Sequence, residues 1–385
     1  MIILDDFYVS KRMVRYLEKS GQAVLESEMS KQIRDQGAKL NIVPENEAIA
    51  RVNAGERLYA MSESHFDWVK QHITRQNILH GLNLCKDKEL MRRTLAPLYP
   101  DYYFESVDAK ELLSMSYPSQ HAPFVLKPSV GFLSLGVYLI HNETEWNQAL
   151  ADIRENQSHW AQWYDASVVQ SQRFILESLI EGTEYALDAY FDDEGKPHLL
   201  NILRHDFANG QDASDRLYYC SRAIMEEKRE IMFDFLQKSN ELAGMRDFPV
   251  HAEVRECKGQ IIPVEFNAMR FAGLGSTEIS NMAFGFFTFD QYLAGSEPDW
   301  QQCFEHSGNE LYCLSALNPP SGTPAGTRMD YERFWNKWQQ PIDIDHFDYD
   351  ATGTFGFLFW KTDPNDDTER RAMLEDDLRE YLQIG

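Results

Sequence analysis

The stretch "IIPVEFNAMRFAG" (Ile261–Gly273) decides how this chain is read. Five of its first six residues are apolar or Pro, the composition of a buried strand. Glu265 sits inside that strand, Asn267 follows two places later, and Arg270 comes just after. A carboxylate in an apolar strand is costly unless something pairs with it.

The residues just upstream supply a partner. "VHAEVREC" precedes Lys258-Gly259-Gln260, a three-residue hairpin loop with Gly available for positive φ. Such a loop pairs Cys257 with Ile261, and counting outward sets Glu253 opposite Glu265 and His251 opposite Asn267. Side chains on one face recur every second residue, so all four share a face. Like charges directly opposed destabilise, and two facing carboxylates with an amide alongside call for a cation. The ligands are almost all oxygen, which suits Mg²⁺ (or Mn²⁺) completed by water and phosphates better than zinc. His251 reads as a structural neighbour of the acids rather than a ligand. Two alternatives stay open at this point. A one-residue slip would turn one acid to solvent, and a protonated carboxyl would need no metal.

Two further stretches lie upstream. In "APFVLKPSVGFLSLGVYLI" (122–140), Phe124–Leu126 and Val137–Ile140 read as strands flanking a Gly- and Ser-bearing loop. Backbone N–H groups in such a loop can cradle phosphate, and Lys127 can add positive charge. A strand follows the loop, so it is not a P-loop, and GxGxxG is missing. A plain hairpin fits equally well. In "LESLIEGTEYALD" (176–188), Glu177 ends a strand, Gly182 turns the chain and Glu184 opens the next strand. Acids so spaced can hold an adenine amino group and a ribose hydroxyl, or can be solvated turn residues.

Composition narrows the partners. With 37 Lys plus Arg against 61 Asp plus Glu, the formal charge is −24. That balance excludes the clustered basic surface that binds nucleic acid and disfavours an anionic membrane. No apolar run reaches membrane-spanning length, and "MIILDDFYVS" lacks the basic region of a secretory signal. Five cysteines without a CxxC pair read as reduced residues of a cytoplasmic protein.

The first ~85 residues read as short α/β units forming a small open sheet. Ile2–Leu4, Ala23–Leu25 and Leu58–Ala60 are strands, Ser10 caps a helix bearing Met13, Val14, Tyr16 and Leu17, and a further helix carries Phe66, Val69 and Ile73. "KDKELMRRTLAPL" is a helix ending before Pro97, and Asn142 or Thr144 caps another running to about Gln162. The middle of the chain then reads as antiparallel hairpins, with turns at Glu181-Gly182 and Glu194-Gly195 and a helix over about Met225–Leu242, an α+β pattern. The tail holds a Pro/Gly-rich linker ("NPPSGTPAGT"), an aromatic core strand ("TGTFGFLFW") and a closing helix. That helix is capped by Asp367 or Thr368, with Leu374, Leu378, Tyr381 and Leu382 on one face.

"VLKPSVGFLSLGV", "LESLIEGTEYALD" and "HAEVRE…IIPVEFNAMRFAG", in that order, resemble the ATP-grasp superfamily. The resemblance covers roughly Lys86 to Gly275. It implies an α/β domain over 1–85, an ATP-grasp region of two α+β lobes clamping ATP over 86–290 with a flap lobe at about 124–200, and a C-terminal α+β extension over 291–385. It also implies residue roles. Lys88 and Lys127 are the nucleotide lysines. The flap with Ser134 and Gly136 closes over the phosphates. Glu177 and the backbone of Ser178 and Ile180 read adenine, and Glu184 the ribose. Glu253, Glu265 and Asn267 hold one or two Mg²⁺, and Arg270 contacts the transferred phosphate.

The activity the resemblance implies is a ligase that joins a small-molecule carboxylate to an amine through an acyl phosphate. Lys127 and Arg270 offset the charge, and the enzyme is a homodimer. A kinase acting on a hydroxyl and a non-catalytic ATP-binding protein are the alternatives. Arg204, in "LLNILRHDF", is a further substrate contact if its strand lines the cleft.

Overall fold

The computed structural model describes residues 1–130, 136–160, 173–209, 212, 214–271 and 275–383. Strands β1 (Ile2–Ile3), β2 (Ala23–Leu25), β3 (Asn41–Val43) and β4 (Tyr59–Ala60) form a parallel sheet in the order β3-β2-β1-β4. The chain runs outward from β1 to β3 and then returns to the other side of β1. The C-terminal ends of β1 and β4 thus flank a topological switch point, where open α/β sheets bind ligands. Helix Lys11–Ser20 follows β1. Ser10 caps it by accepting from the Met13 N–H at 3.0 Å, and Met13 and Leu17 are buried.

A second sheet is antiparallel: β5 (Phe104–Asp108), β6 (Phe124–Pro128), β7 (Tyr138–Ile140) and β8 (Arg173–Ser178), in the order β5-β8-β6-β7. Helix Glu143–Trp160 covers it. Trp146, Leu150 and Ile153 close a core with Phe124, Leu126, Phe174 and Leu176 that is separate from the rest of the interior. This lobe therefore carries its own packing, and polar contacts such as Arg92–Glu177 and Arg173–Glu89 tie it to helix Lys88–Leu95.

The large sheet has eight strands, all antiparallel: β9 (Thr183–Phe191), β10 (Pro197–Asp206), β11 (Leu217–Cys220), β12 (Phe248–Cys257), β13 (Gln260–Ala268), β14 (Leu311–Ala316) and, beyond the short β15 (Arg328–Met329), β16 (Gln340–His346) and β17 (Gly356–Thr362). Its order is β13-β12-β9-β10-β11-β14-β17-β16. Helix Arg222–Ala243 packs over β10 with Met225, Met232, Phe235 and Leu236 buried. The aromatic strand of the tail is β17, and its Leu358, Phe359 and Trp360 are core as expected. All five cysteines are free thiols, and no helix among the described residues is long and apolar enough to cross a membrane.

Three expectations need correction. β8 and β9 are not a hairpin: β8 belongs to the small sheet and β9 to the large one, so Glu181-Gly182 carries the chain between lobes. The closing helix stops at Glu375, because the Asp376 side chain accepts from the Leu378 N–H at 2.7 Å and Leu378 takes φ 64°. Tyr381 and Leu382 therefore lie beyond it, with Leu382 in β18 (Leu382–Gln383) pairing β15. The third correction concerns the β12–β13 loop and belongs with the site.

Candidate active site

The loop joining β12 and β13 has two residues, not three. Lys258 (φ 51°) and Gly259 (φ 80°) are both left-handed, the pattern of a tight hairpin turn, and Cys257 pairs with Gln260. On its own that would have shifted the register by one and separated the acids. A bulge beside Glu253 restores it: Val254 pairs with Pro263, but Glu253 pairs with Glu265. Pro263 is tolerated because β13 is an edge strand. His251 pairs with Asn267, as the spacing predicts.

The two acids sit in different fields. Burial and the facing Glu265 push the Glu253 carboxyl well above its ordinary range. Burial acts on Glu265 too, but Lys88 at 2.9 Å outweighs it and lowers the group. Asn267 bridges the pair to Arg270: its Nδ2 donates to Glu253 Oε1 at 3.2 Å, and its Oδ1 accepts from Arg270 Nη2 at 3.0 Å. Two carboxylates and an amide oxygen are hard donors that fit Mg²⁺. Among the described residues no three His, Cys, Asp or Glu side chains are placed to hold a metal, so further oxygens must come from water or phosphate. His251 bonds the fully buried Asp188 at 2.7 Å and so orders the strand behind the acids.

Above the acids lies a buried charge triad. Glu177 is 3% exposed and takes Lys127 Nζ at 2.5 Å and Arg92 Nε at 2.6 Å. Burial opposes its charge, yet Arg92 and Lys127 hold its pKa at about 2. Lys127 is pushed down by burial against the pull of Glu177. One carboxylate between two cations leaves positive charge in excess, which suits an anionic ligand. Lys88 reaches this region from the start of helix Lys88–Leu95, and its backbone N–H donates to the Ser129 carbonyl.

The crossing between lobes is pinned. Gly182 has φ 116°, and a Cβ there would lie 2.1 Å from the Glu256 carbonyl oxygen. Glu184 is held by His205 Nδ1 and Arg255 Nε, each at 2.8 Å, and these partners keep its carboxyl low against burial. Arg255 also donates to the Ile180 carbonyl at 2.6 Å. The Ser178 N–H donates to the Tyr103 carbonyl, and the Ser178 carbonyl accepts from Tyr102.

Arg270 meets the N-terminal sheet. Its Nη2 donates to Glu63 Oε1 at 3.0 Å, and the other oxygen of Glu63 pairs with Lys86. Burial opposes the charge of Glu63, but Arg270 and Lys86 lower its pKa to about 2. A narrow cleft here is lined by Glu63, Lys86, Lys88, Glu265 and Asn267.

The fold thus brings together Lys88, Lys127, Glu177, Glu253, Glu265, Asn267 and Arg270, with Glu184 at the crossing. Gly136 ends the flap loop at φ 75°, and Ser134 lies outside the described residues. Arg204 is not brought in. It pairs with Tyr185 across β9 and β10, on the sheet face whose Tyr185 ring Lys228 of helix Arg222–Ala243 covers, and it bonds Asp206. Its neighbour His205 faces the site instead, as strand alternation requires. Sequence reasoning missed Arg92 and Glu63. Arg92 is four residues from Lys88, one helical turn on the same face, so that spacing could have found it. Glu63 opens the 3-10 turn that follows β4 at the switch point, a signal visible only once strand order is known.

Residues 120–278 match the ATP-grasp domain family. An L-amino acid ligase from Bacillus licheniformis has a similar fold, with TM-score 0.71 and 16% identity, over 100% of this chain and 98% of that one. Biotin carboxylase from Campylobacter jejuni aligns at TM-score 0.64 and 13% identity, over 100% of this chain and 91% of that one. N5-carboxyaminoimidazole ribonucleotide synthetase from Thermotoga maritima aligns at TM-score 0.62 and 14% identity, over 99% and 98%. No curated protein matches the sequence. The chain thus carries an ATP-grasp domain over residues 120–278, and its whole length shares the fold of these structures.

Proposed function

We propose that this protein is an ATP- and Mg²⁺-dependent ligase that joins a small-molecule carboxylate to an amine through an acyl phosphate. The observation that carries the reading is the Glu253–Glu265 pair with Asn267 and Arg270 beside it, beneath Lys88 and Lys127. Structures with the same fold have been solved with ADP or with MgADP.

In this reading Glu253, Glu265 and Asn267 hold the metal. A Mg²⁺ ion held there would offset the negative charge of the phosphates. Lys88 and Lys127 bind the phosphates, and the flap with Ser134 and Gly136 covers them. Glu177, which the resemblance assigns to adenine, has its two oxygens on Lys127 and Arg92 and so fixes those cations at the phosphate end of the site. The Ser178 N–H and carbonyl are likewise held by Tyr103 and Tyr102, so adenine is left to the backbone of Ile180, and Glu184 takes the ribose. Arg270 contacts the transferred phosphoryl group, where charge neutralisation and orientation do most of the work. The attacking amine gives its proton to solvent or to a phosphate oxygen.

The test is release of ADP and inorganic phosphate across a panel of carboxylate and amine pairs with Mg²⁺. A ligase releases phosphate into solution. Phosphate retained on a substrate hydroxyl would replace this reading with a kinase, and ATP binding without turnover for any pair would replace it with a nucleotide-binding protein.

A further inference from the structure

We propose that Glu63, at the start of the 3-10 turn Glu63–His65 that follows β4, is a positioning residue that holds Arg270 in its working orientation. The inference rests on the role of Arg270 in the proposed reaction and adds a residue from outside the matched domain. Arg270 Nη2 divides its donors between Glu63 Oε1 and Asn267 Oδ1, both at 3.0 Å. One acceptor comes from the turn that follows β4 and the other from β13. Arg270 Nε is buried and has no hydrogen-bond partner among the described residues, so the guanidinium keeps donor capacity that these residues do not use.

The backbone around Arg270 is joined to the same sheet. Ala60 N–H in β4 donates to the Met269 carbonyl at 3.1 Å, and the Phe271 N–H donates to the Tyr59 hydroxyl at 3.2 Å. Met269 holds φ 58°, a conformation a side chain of its size takes only when its surroundings impose it. Main chain and guanidinium are thus both set from β4, three residues before Glu63. The second oxygen of Glu63 is fixed by Lys86 at the end of helix Gln76–Lys86, so Glu63 cannot swing without breaking a second ion pair. A carboxylate with both oxygens engaged by cations does not accept a proton from an amine. Its work is to aim Arg270.

The experiment compares Glu63→Gln, Glu63→Asp, Arg270→Lys and the Glu63→Gln/Arg270→Lys double variant in the full chain. Glu63→Gln should lower kcat by roughly 10- to 100-fold, the usual effect of losing a group that orients an active residue. KM for ATP should change by less than about threefold, and Glu63→Asp should recover part of the loss. In the Arg270→Lys background the same change should cost little more, because the two residues act as a unit. An unimpaired Glu63→Gln beside an impaired Arg270→Lys, or losses that add, overturns the inference and leaves the reading of Arg270 standing. An unimpaired Arg270→Lys overturns that reading itself. Should no substrate pair turn over, the contact is read directly from the ¹⁵N-arginine side-chain signal that Arg270→Lys removes. It should be sharp in the wild type and broadened by exchange in Glu63→Gln, and an unchanged signal overturns the proposal.

Discussion

Glu253 and Glu265 face one another across β12 and β13, yet Lys88 donates to Glu265 while Glu253 accepts from the neutral amide of Asn267. The pair is therefore unequal before any ligand arrives. Glu265 is already compensated by a cation, whereas Glu253 is held by an amide.

Replacing Glu253 should relieve that imbalance. Glu253→Gln is expected to raise the thermal midpoint of the metal-free protein, because burial and the facing Glu265 both disfavour a charge at this position. Added Mg²⁺ with nucleotide should stabilise the wild type and not the variant. A metal-free midpoint that falls, or a retained Mg²⁺ response, would remove Glu253 from the metal site.

Glu265→Gln should act differently. It abolishes turnover and weakens Mg²⁺-dependent nucleotide binding, and it also strips Lys88 of its anionic partner. No gain in metal-free stability is expected, because one compensated charge pair is lost. Mg²⁺ titrations of nucleotide affinity separate the two variants. Near-normal activity in Glu265→Gln would show the metal assignment to be mistaken.

Glu177 supplies a pH prediction. Its carboxyl is lowered from 4.5 to about 2. A depressed carboxylate stabilises the fold above its unfolded pKa and loses that contribution as pH falls through its folded value. The window therefore runs from about 4.5 down to about 2, and the contribution at neutral pH is on the order of 3 kcal/mol. Glu177→Gln leaves Arg92 and Lys127 buried together, and breaking such a cluster costs about 3–5 kcal/mol. Unfolding midpoints at several pH values should show the gap between variant and wild type narrowing as the medium is acidified through that window. A constant gap would mean that Glu177 is not ionised in the fold.

Much of this site was legible because strand periodicity and ordered motifs are local. The facing of Glu253 and Glu265 was reached from a loop one residue too long, and a bulge at the same acid returned the missing residue. A bulge leaves no mark in a pattern of apolar residues, so the register was right for a reason the sequence could not display. The Glu181-Gly182 crossing looked like a hairpin because two strands flank a glycine turn. That β8 and β9 join different sheets depends on β5 and β12, which are distant in sequence. Glu63 escaped notice for the same reason. Its role comes from strand order, while Arg204 was lost to alternation on β10 that a proper pairing with Tyr185 would have exposed.

The crossing between lobes gives the last prediction. Gly182 and Gly259 both have positive φ, but only at Gly182 does backbone press on the missing side chain. A Cβ there meets the Glu256 carbonyl at 2.1 Å, whereas none of the described residues comes within 4 Å of one at Gly259. Gly259→Ala should therefore cost only the conformational penalty, about 1 kcal/mol. Gly182→Ala should cost more, since the chain must withdraw from β12 to relieve the contact. That withdrawal pulls Ile180 from Arg255 and shifts Glu184, the residues next to the proposed adenosine site. Gly182→Ala is expected to lower the thermal midpoint further than Gly259→Ala and to weaken ATP binding at least about tenfold, as a misplaced set of contacts does. Calorimetric titration of both variants with ATP and Mg²⁺ decides it, and equal affinities would mean that the crossing has no part in holding the nucleotide.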